Sequence, residues 1–195
     1  MATKIIRSGN NEVGANNILT KIQDLLAGMQ YQIGATLYDW FSTIYPFVEI
    51  SQVDGQPVVF IQENDYRTLL DDTQKAIIFF LLGDMEQQQD GGIFLADVSM
   101  FVWYRPKNFS KFRSIKQVLI SEISNKVIKY LPPRNIQSLR FIVNSQDVWR
   151  GLNIDMYELQ STQPFDVLRV DMQLYIDISC LDTYISDIND LSQCN

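Results

Sequence analysis

Two groups of oxygen-bearing side chains have a spacing that suggests chemistry. Asp84, Glu86 and Asp90 run up to Gly91-Gly92, and carboxylates of that kind are the hard ligands Ca²⁺ prefers. Their spacing departs from an EF-hand loop, and a solvated hairpin loop accounts for them as well. Asp171, Gln173 and Asp177 fall on one face of an alternating segment, where they can serve as metal ligands or as an acid–base pair. The wet face of an antiparallel sheet is the simpler account of the same three residues.

Other routes to catalysis are closed by literal absence. The chain has no histidine, which removes Ser-His and Cys-His nucleophile pairs, imidazole acid–base chemistry and histidine metal sites. There is no glycine-rich loop followed by Lys-Ser or Lys-Thr, no G-x-G-x-x-G and no G-x-S-x-G, so neither a phosphate cradle nor a nucleophile elbow is encoded. Cys180 and Cys194 lie close together near the C-terminus. They do not have zinc spacing, and free thiols in a reducing compartment are the expected state. No catalytic residue, metal or cofactor is expected.

Charge is the more informative signal. The net charge is −7 over 195 residues, yet the two signs are segregated. Arg105, Lys107, Lys111, Arg113, Lys116, Lys126, Lys129, Arg134 and Arg140 are opposed by Glu122 alone between positions 105 and 140, a local net charge of +8. From Asp155 onward eight acids, among them Asp171, Asp177, Asp182, Asp187 and Asp190, face only Arg169, a local net charge of −7. Clustered Lys and Arg suit phosphate contacts, and a solvated helix face explains them too. A third reading uses both segments: oppositely charged surfaces on copies of one chain favour head-to-tail contact, which closes into rings. Trp149, Arg150 and Tyr157 sit in an otherwise polar stretch, as interface anchors do, or as residues folded back into the domain's own core.

The elements that position these residues follow from periodicity. Positions 1–14 are polar and glycine-containing and read as a flexible arm. Ile18, Ile22, Leu25 and Met29, widened by Leu19 and Leu26, step at helical spacing and predict a helix ending near Gln30. Phe47–Ile50 and Val58–Ile61 flank Asp54-Gly55, a hairpin signal; positions 65–72 read as a polar connection with one helical turn. Ala76–Leu82 is apolar on both faces, as a central strand is, with a short buried helix as the competing reading, and Gly83–Gly92 reads as a mobile hairpin loop. Ile93–Tyr104 predicts the returning strand.

Ser110 is placed to cap a second helix, with Phe112, Ile115, Leu119, Ile123, Val127 and Tyr130 as its buried stripe before Pro132-Pro133. Leu139–Val143 reads as a short strand, and 144–164 as a long loop excursion. The clearest alternation in the chain is Leu168, Val170, Met172, Leu174, Ile176 and Ile178, a half-buried strand.

Together these predict a single α+β domain over 15–181, a mainly antiparallel sheet packed against two main helices, followed by an acidic tail at 182–195. The longest apolar run is too short for a membrane-spanning helix of about 20 residues. The first residues lack the apolar core and cleavage pattern of a signal peptide, so folding in a cytoplasm is expected.

In this element order the chain resembles the small ring-forming proteins of tailed-bacteriophage necks and tails, the tail terminator or completion proteins and the head–tail connector subunits. The likeness spans Ile18–Ser179: a polar arm and helix, the hairpin at Val48–Ile61, the strand at Phe94–Tyr104, the helix at Phe112–Tyr130, and a closing strand introduced by Pro164-Phe165-Asp166-Val167-Leu168-Arg169. That family carries no catalytic motif, so no functional residue is transferred, and the acidic tail has no counterpart in the pattern. The resemblance implies a structural virion protein, assembled in the host cytoplasm into a homo-oligomeric ring of six or twelve copies. Its loops would touch neighbouring copies and other neck or tail proteins, around passing DNA. Two other readings stand beside it: a non-enzymatic cellular interaction module, and a carboxylate-based metal-dependent hydrolase using Asp171 or Asp177.

Overall fold

A computed structural model of the chain describes residues 4–5, 15–27, 30–33, 36–39, 43–53, 56–62, 65–68, 76–88, 93–109, 114–130, 135–144, 147–150 and 166–177. Its main body is a six-stranded mixed sheet with two helices on one face, an α+β arrangement. The strands are β1 (Lys4–Ile5), β4 (Thr43–Phe47), β8 (Ala76–Gln87), β9 (Ile93–Tyr104), β10 (Ile136–Ile142) and β11 (Asp166–Asp177), in the spatial order β1-β4-β8-β9-β11-β10. The β8–β9, β9–β11 and β11–β10 pairs are antiparallel, as expected. The pairs β1–β4 and β4–β8 are parallel, so the sheet is mixed. Lys4–Ile5, within the segment expected as an arm, pairs with Thr43–Ile44.

Why the strands read as they do becomes plain from what covers them. On one face lie α1 (Ala15–Ala27) and α2 (Ile115–Tyr130). Ile18, Leu19, Ile22 and Leu26 of α1 and Leu119, Ile123 and Val127 of α2 share one core with Ile78, Phe80, Val98, Met100, Val102, Leu168, Val170, Met172 and Leu174. The predicted helical stripes and strand alternations meet here. Gln23, buried in the same layer, donates from Nε2 to the Tyr45 carbonyl at 2.9 Å and so ties α1 to β4. Among the described residues the opposite face is covered at one end, by Tyr45, Val48, Val148 and Trp149 over Ile77, Phe79, Phe101 and Trp103. Ala76–Phe80 is therefore buried on both faces, which is why it carries no alternation.

Several boundaries differ from the sequence reading. The Asp54-Gly55 hairpin forms from β5 (Glu49–Val53) and β6 (Gln56–Gln62), but belongs to a separate three-stranded sheet completed by β7 (Asp65–Thr68). The helical turn expected at 65–72 is thus a strand over its first four residues; Tyr66 and Thr68 are of strand-favouring types that the charged neighbours Asp65 and Arg67 outweighed. Past α1, which stops at Ala27, a short hairpin pairs β2 (Gln30–Ile33) with β3 (Thr36–Asp39). Helix α2 starts at Ile115, after a 3₁₀ turn at Pro106–Phe109, and the Ser114 carbonyl accepts the Val118 amide at 3.3 Å. Ser110 and Phe112 lie outside the described residues.

The largest correction concerns Gly83–Gly92. The strand does not stop at Leu82 but runs to Gln87, still paired with β9, across an irregularity between Leu82 and Met85. One extra residue on β8 reverses its facing: Leu82 opposes Val98, whereas Met85 opposes Ala96. Such bulges bend a strand without ending it. Gly83 sits at the bulge in close approach to β9, where a Cβ would lie 3.3 Å from both Cβ and O of Asp97 and crowd them. Gly83→Val is expected to lower stability by about 1–3 kcal/mol through this overpacking, read as a lower midpoint in urea unfolding.

Candidate interaction site

Register in the sheet brings together side chains that lie far apart in sequence. At one end, Asp166 opens β11 directly opposite Tyr104, the last residue of β9. The buried Tyr104 hydroxyl donates to Asp166 Oδ2 at 2.9 Å. Lys116, on the first turn of α2, places Nζ 3.0 Å from Asp166 Oδ1 and also donates to the Val143 carbonyl at 3.0 Å. The Val167 amide donates to Asp166 Oδ1 as well, at 2.9 Å. One carboxylate thus ties β9, β11, α2 and the end of β10 together. Burial, then the charge of Asp166, then the hydrogen bond to it hold the Tyr104 phenol well above its ordinary pKa of 10.0.

A phenol kept neutral this firmly is no general base, and its role is structural. The consequence for stability has a definite sign. Above pH 10 the unfolded chain loses this proton while the folded chain keeps it, so stability falls with rising pH, at about 1.4 kcal/mol per pH unit. Tyr104→Phe is expected to remove that part of the alkaline slope, seen by comparing urea midpoints of the two proteins from pH 9 to 11.

A second cluster lies on the face away from the helices. Arg169 donates from Nε to Asp171 Oδ1 at 2.6 Å, and from Nη1 to the Val148 and Arg150 carbonyls at 3.3 and 2.7 Å. Its guanidinium also sits 5.6 Å from the centroid of Phe101. The tight turn at 147–150 is closed by the Asn144 carbonyl, which accepts the amides of Asp147 and Val148 at 3.0 and 3.1 Å. Arg169 thereby clasps the turn onto the sheet. Trp149 then stacks on Phe101, with centroids 5.4 Å apart, and tilts against Trp103 at 5.5 Å.

The residues singled out from sequence fall into distinct environments. Trp149 is buried in the domain's own core and Arg150 is exposed beside it, while Tyr157 lies outside the described residues. Trp149 is therefore no surface anchor; its ring fills the gap over Phe101 that the sheet leaves uncovered. Of the basic segment, Lys107 and Arg140 are exposed. Arg105 is buried, 4% exposed at the end of β9, and so does not belong to a solvated patch; the strand's last turn into the 3₁₀ segment carries it inward. Lys116 is committed to Asp166. Lys126 and Lys129 are on α2 with side chains outside the description, as are Lys111 and Arg113 entirely.

The acidic counter-surface is also rearranged. Asp171 accepts from Ser99 at 2.7 Å as well as from Arg169, so its charge is matched within its own sheet. Gln173 bridges Asp97 and Ser138 across three strands, at 3.2 and 3.1 Å. These groups cross-link the wet face, the simpler of the two readings of their spacing. Among the described residues no three His, Cys, Asp or Glu side chains are grouped to hold a metal ion. The Asp177 side chain, Asp90, Asp182, Asp187, Asp190, Cys180 and Cys194 lie outside the description.

What the sequence reading missed is the outer half of β8. Beyond Phe80, where its pairing with β4 ends, β8 continues through Leu82, Asp84, Met85 and Glu86, all exposed. Leu82 and Met85 are large apolar side chains with 43% and 54% of their surface in solvent. Asp97 on β9 is exposed on the opposite face of the sheet. Arg140 lies on the edge strand β10, so the outer stretch of β8 carries carboxylates and β10 a cation, three strand spacings apart, or about 14 Å. Among the described residues no helix is long and apolar enough to cross a membrane. No family model matches the chain, and no curated protein matches it.

Proposed function

We propose that this protein is a non-enzymatic structural subunit of a tailed-phage virion. It assembles with copies of itself into a ring in the neck or tail, of the tail-terminator or connector kind, and binds adjoining virion proteins. The observation that carries the reading is the separation of charge along the sheet, with exposed Asp84 and Glu86 on the stretch of β8 that runs beyond its pairing with β4, and exposed Arg140 on the edge strand β10. A contact between unlike edges is heterologous, and repeated heterologous contacts close into a ring when the rotation allows. Opposed charges give such a contact its register and speed its encounter. The lack of histidine and of any nucleotide or nucleophile motif supports a role without catalysis.

Lys107 and Arg140, exposed within the basic segment, are among the cations placed for non-specific contact with DNA passing through such a ring. Negative-stain images of the purified protein test the reading: rings with a central hole are expected, and a uniform field of single small particles at micromolar concentration contradicts it.

A further inference from the structure

We propose that the contact between copies is a continuation of the β-sheet itself, in which the outer edge of β8, from Leu81 to Gln87, pairs antiparallel with the outer edge of β10 of the next copy. The inference rests on the assembly reading above and names its interface.

The direction of the free backbone groups follows from two hydrogen bonds. The Val48 amide donates to the Phe80 carbonyl at 2.9 Å, on the side of β8 away from β9, so Phe80 directs its main-chain groups outward. By alternation Leu82 does the same, and no described strand lies beyond it to receive them. At the far end the Gln88 amide donates to the Ile93 carbonyl at 2.8 Å, toward β9. Counting back, Glu86 also faces β9, and Gln87 and Met85 face outward. Leu82, Met85 and Gln87 thus present a row of outward main-chain donors and acceptors, the template that another strand completes.

A second copy fits that template in four ways. β10 is an edge strand with no described strand on its outer side, and its seven residues match the span 81–87. β8 runs parallel to β11 and β10 antiparallel to it, as the pairings dictate, so edge-to-edge joining in a common orientation brings β8 and β10 together antiparallel, the more stable pairing. Glu86 opposes Leu95 and Arg140 opposes Asp171, which puts both side chains on the face away from the helices. They therefore lie on one face of the continued sheet and attract. Finally, Leu82 and Met85, exposed here, gain cover on the other face beside Leu139, which opposes Met172.

Met85→Pro tests the pairing, because it deletes one outward amide and leaves the ladder with β9 intact; proline is tolerated at such edge positions. Sedimentation velocity on wild type, Met85→Pro and Met85→Ala at low ionic strength is expected to show assembly for wild type and the alanine variant. For the proline variant the concentration for half-assembly should rise at least tenfold. Proline assembling at the wild-type midpoint overturns the edge pairing while leaving the assembly reading in place; wild type remaining a single chain overturns both. Should Met85→Pro lose its thermal unfolding transition, charge exchange decides: Glu86→Lys is expected to weaken assembly and Glu86→Lys with Arg140→Glu to restore it, and failure of the double variant to recover contradicts the proposal. Wild-type assembly by both Glu86→Lys and Met85→Pro, with each merely less stable as a monomer, means that a segment of the chain's own covers this edge, and likewise overturns it.

Discussion

Trp149→Ala is expected to lower the free energy of unfolding by about 3–5 kcal/mol, the cost of emptying a buried aromatic site that cannot fully collapse. The ring is 5% exposed and stacks on Phe101, which itself stacks on Phe79 with centroids 5.1 Å apart. It packs with Trp103 and Phe101 on the face away from α1 and α2. Losing it opens the second core to water and also loosens the turn at 147–150. The Arg169 hydrogen bonds to the Val148 and Arg150 carbonyls hold that turn only while its side chain is seated. Trp149→Phe retains a ring and is expected to lose about half as much. Urea unfolding gives the energies, and the near-ultraviolet circular dichroism of the folded protein reports whether the remaining aromatic cluster stays ordered.

Asp166→Ala is expected to cost about 2–4 kcal/mol, chiefly through loss of the hydrogen bond that the buried Tyr104 hydroxyl donates to Asp166. The ion pair with Lys116 contributes less, since the two side chains are 26% and 35% exposed and water screens them. Asp166→Asn separates the two parts. Its amide oxygen can still accept from Tyr104, so a loss of about 1 kcal/mol remains. Comparing the two variants in urea, with and without 0.5 M salt, distinguishes them: the asparagine variant should change less with salt than wild type does.

Which parts of this architecture the sequence disclosed depends on whether a residue's role was local. The alternation beginning at Leu168 and the stripe through Leu119, Ile123 and Val127 announce one buried face, and these residues of β11 and α2 are buried; Ile115 is half-buried, and Phe112, Ile178 and the Tyr130 side chain lie outside the described residues. Ala76–Leu82 carries no alternation, and its apolar run marks a strand, though one buried only as far as Phe80: Leu82 is 43% exposed. The extension of β8 to Gln87 was hidden because Gly83, Asp84, Glu86 and Gln87 are turn-favouring or solvent-favouring types. Only the pairing with β9, across a bulge at Gly83, makes them a strand. The same long-range register joins Tyr104 to Asp166 across 62 positions, which no spacing rule reveals. Trp149 was legible as important but not as buried, because what it covers, Phe101 and Trp103, lies on a strand almost fifty residues earlier. For the charges, the segregation of sign was visible, while commitment of Lys116 and Asp171 to internal partners and the inward turn of Arg105 were not. The exposed polarity falls instead on Asp84, Glu86 and Arg140.

The central claim, that this chain acts by assembling with itself through unlike charged edges, is tested most directly by its mass in solution as a function of salt. Light scattering at high protein concentration is predicted to give a mass several times that of one chain at low ionic strength. That mass should fall toward a single chain as salt rises and the Debye length shrinks from about 30 Å at 0.01 M to about 3 Å at 1 M. The mass of one chain at every concentration and every ionic strength would contradict the account.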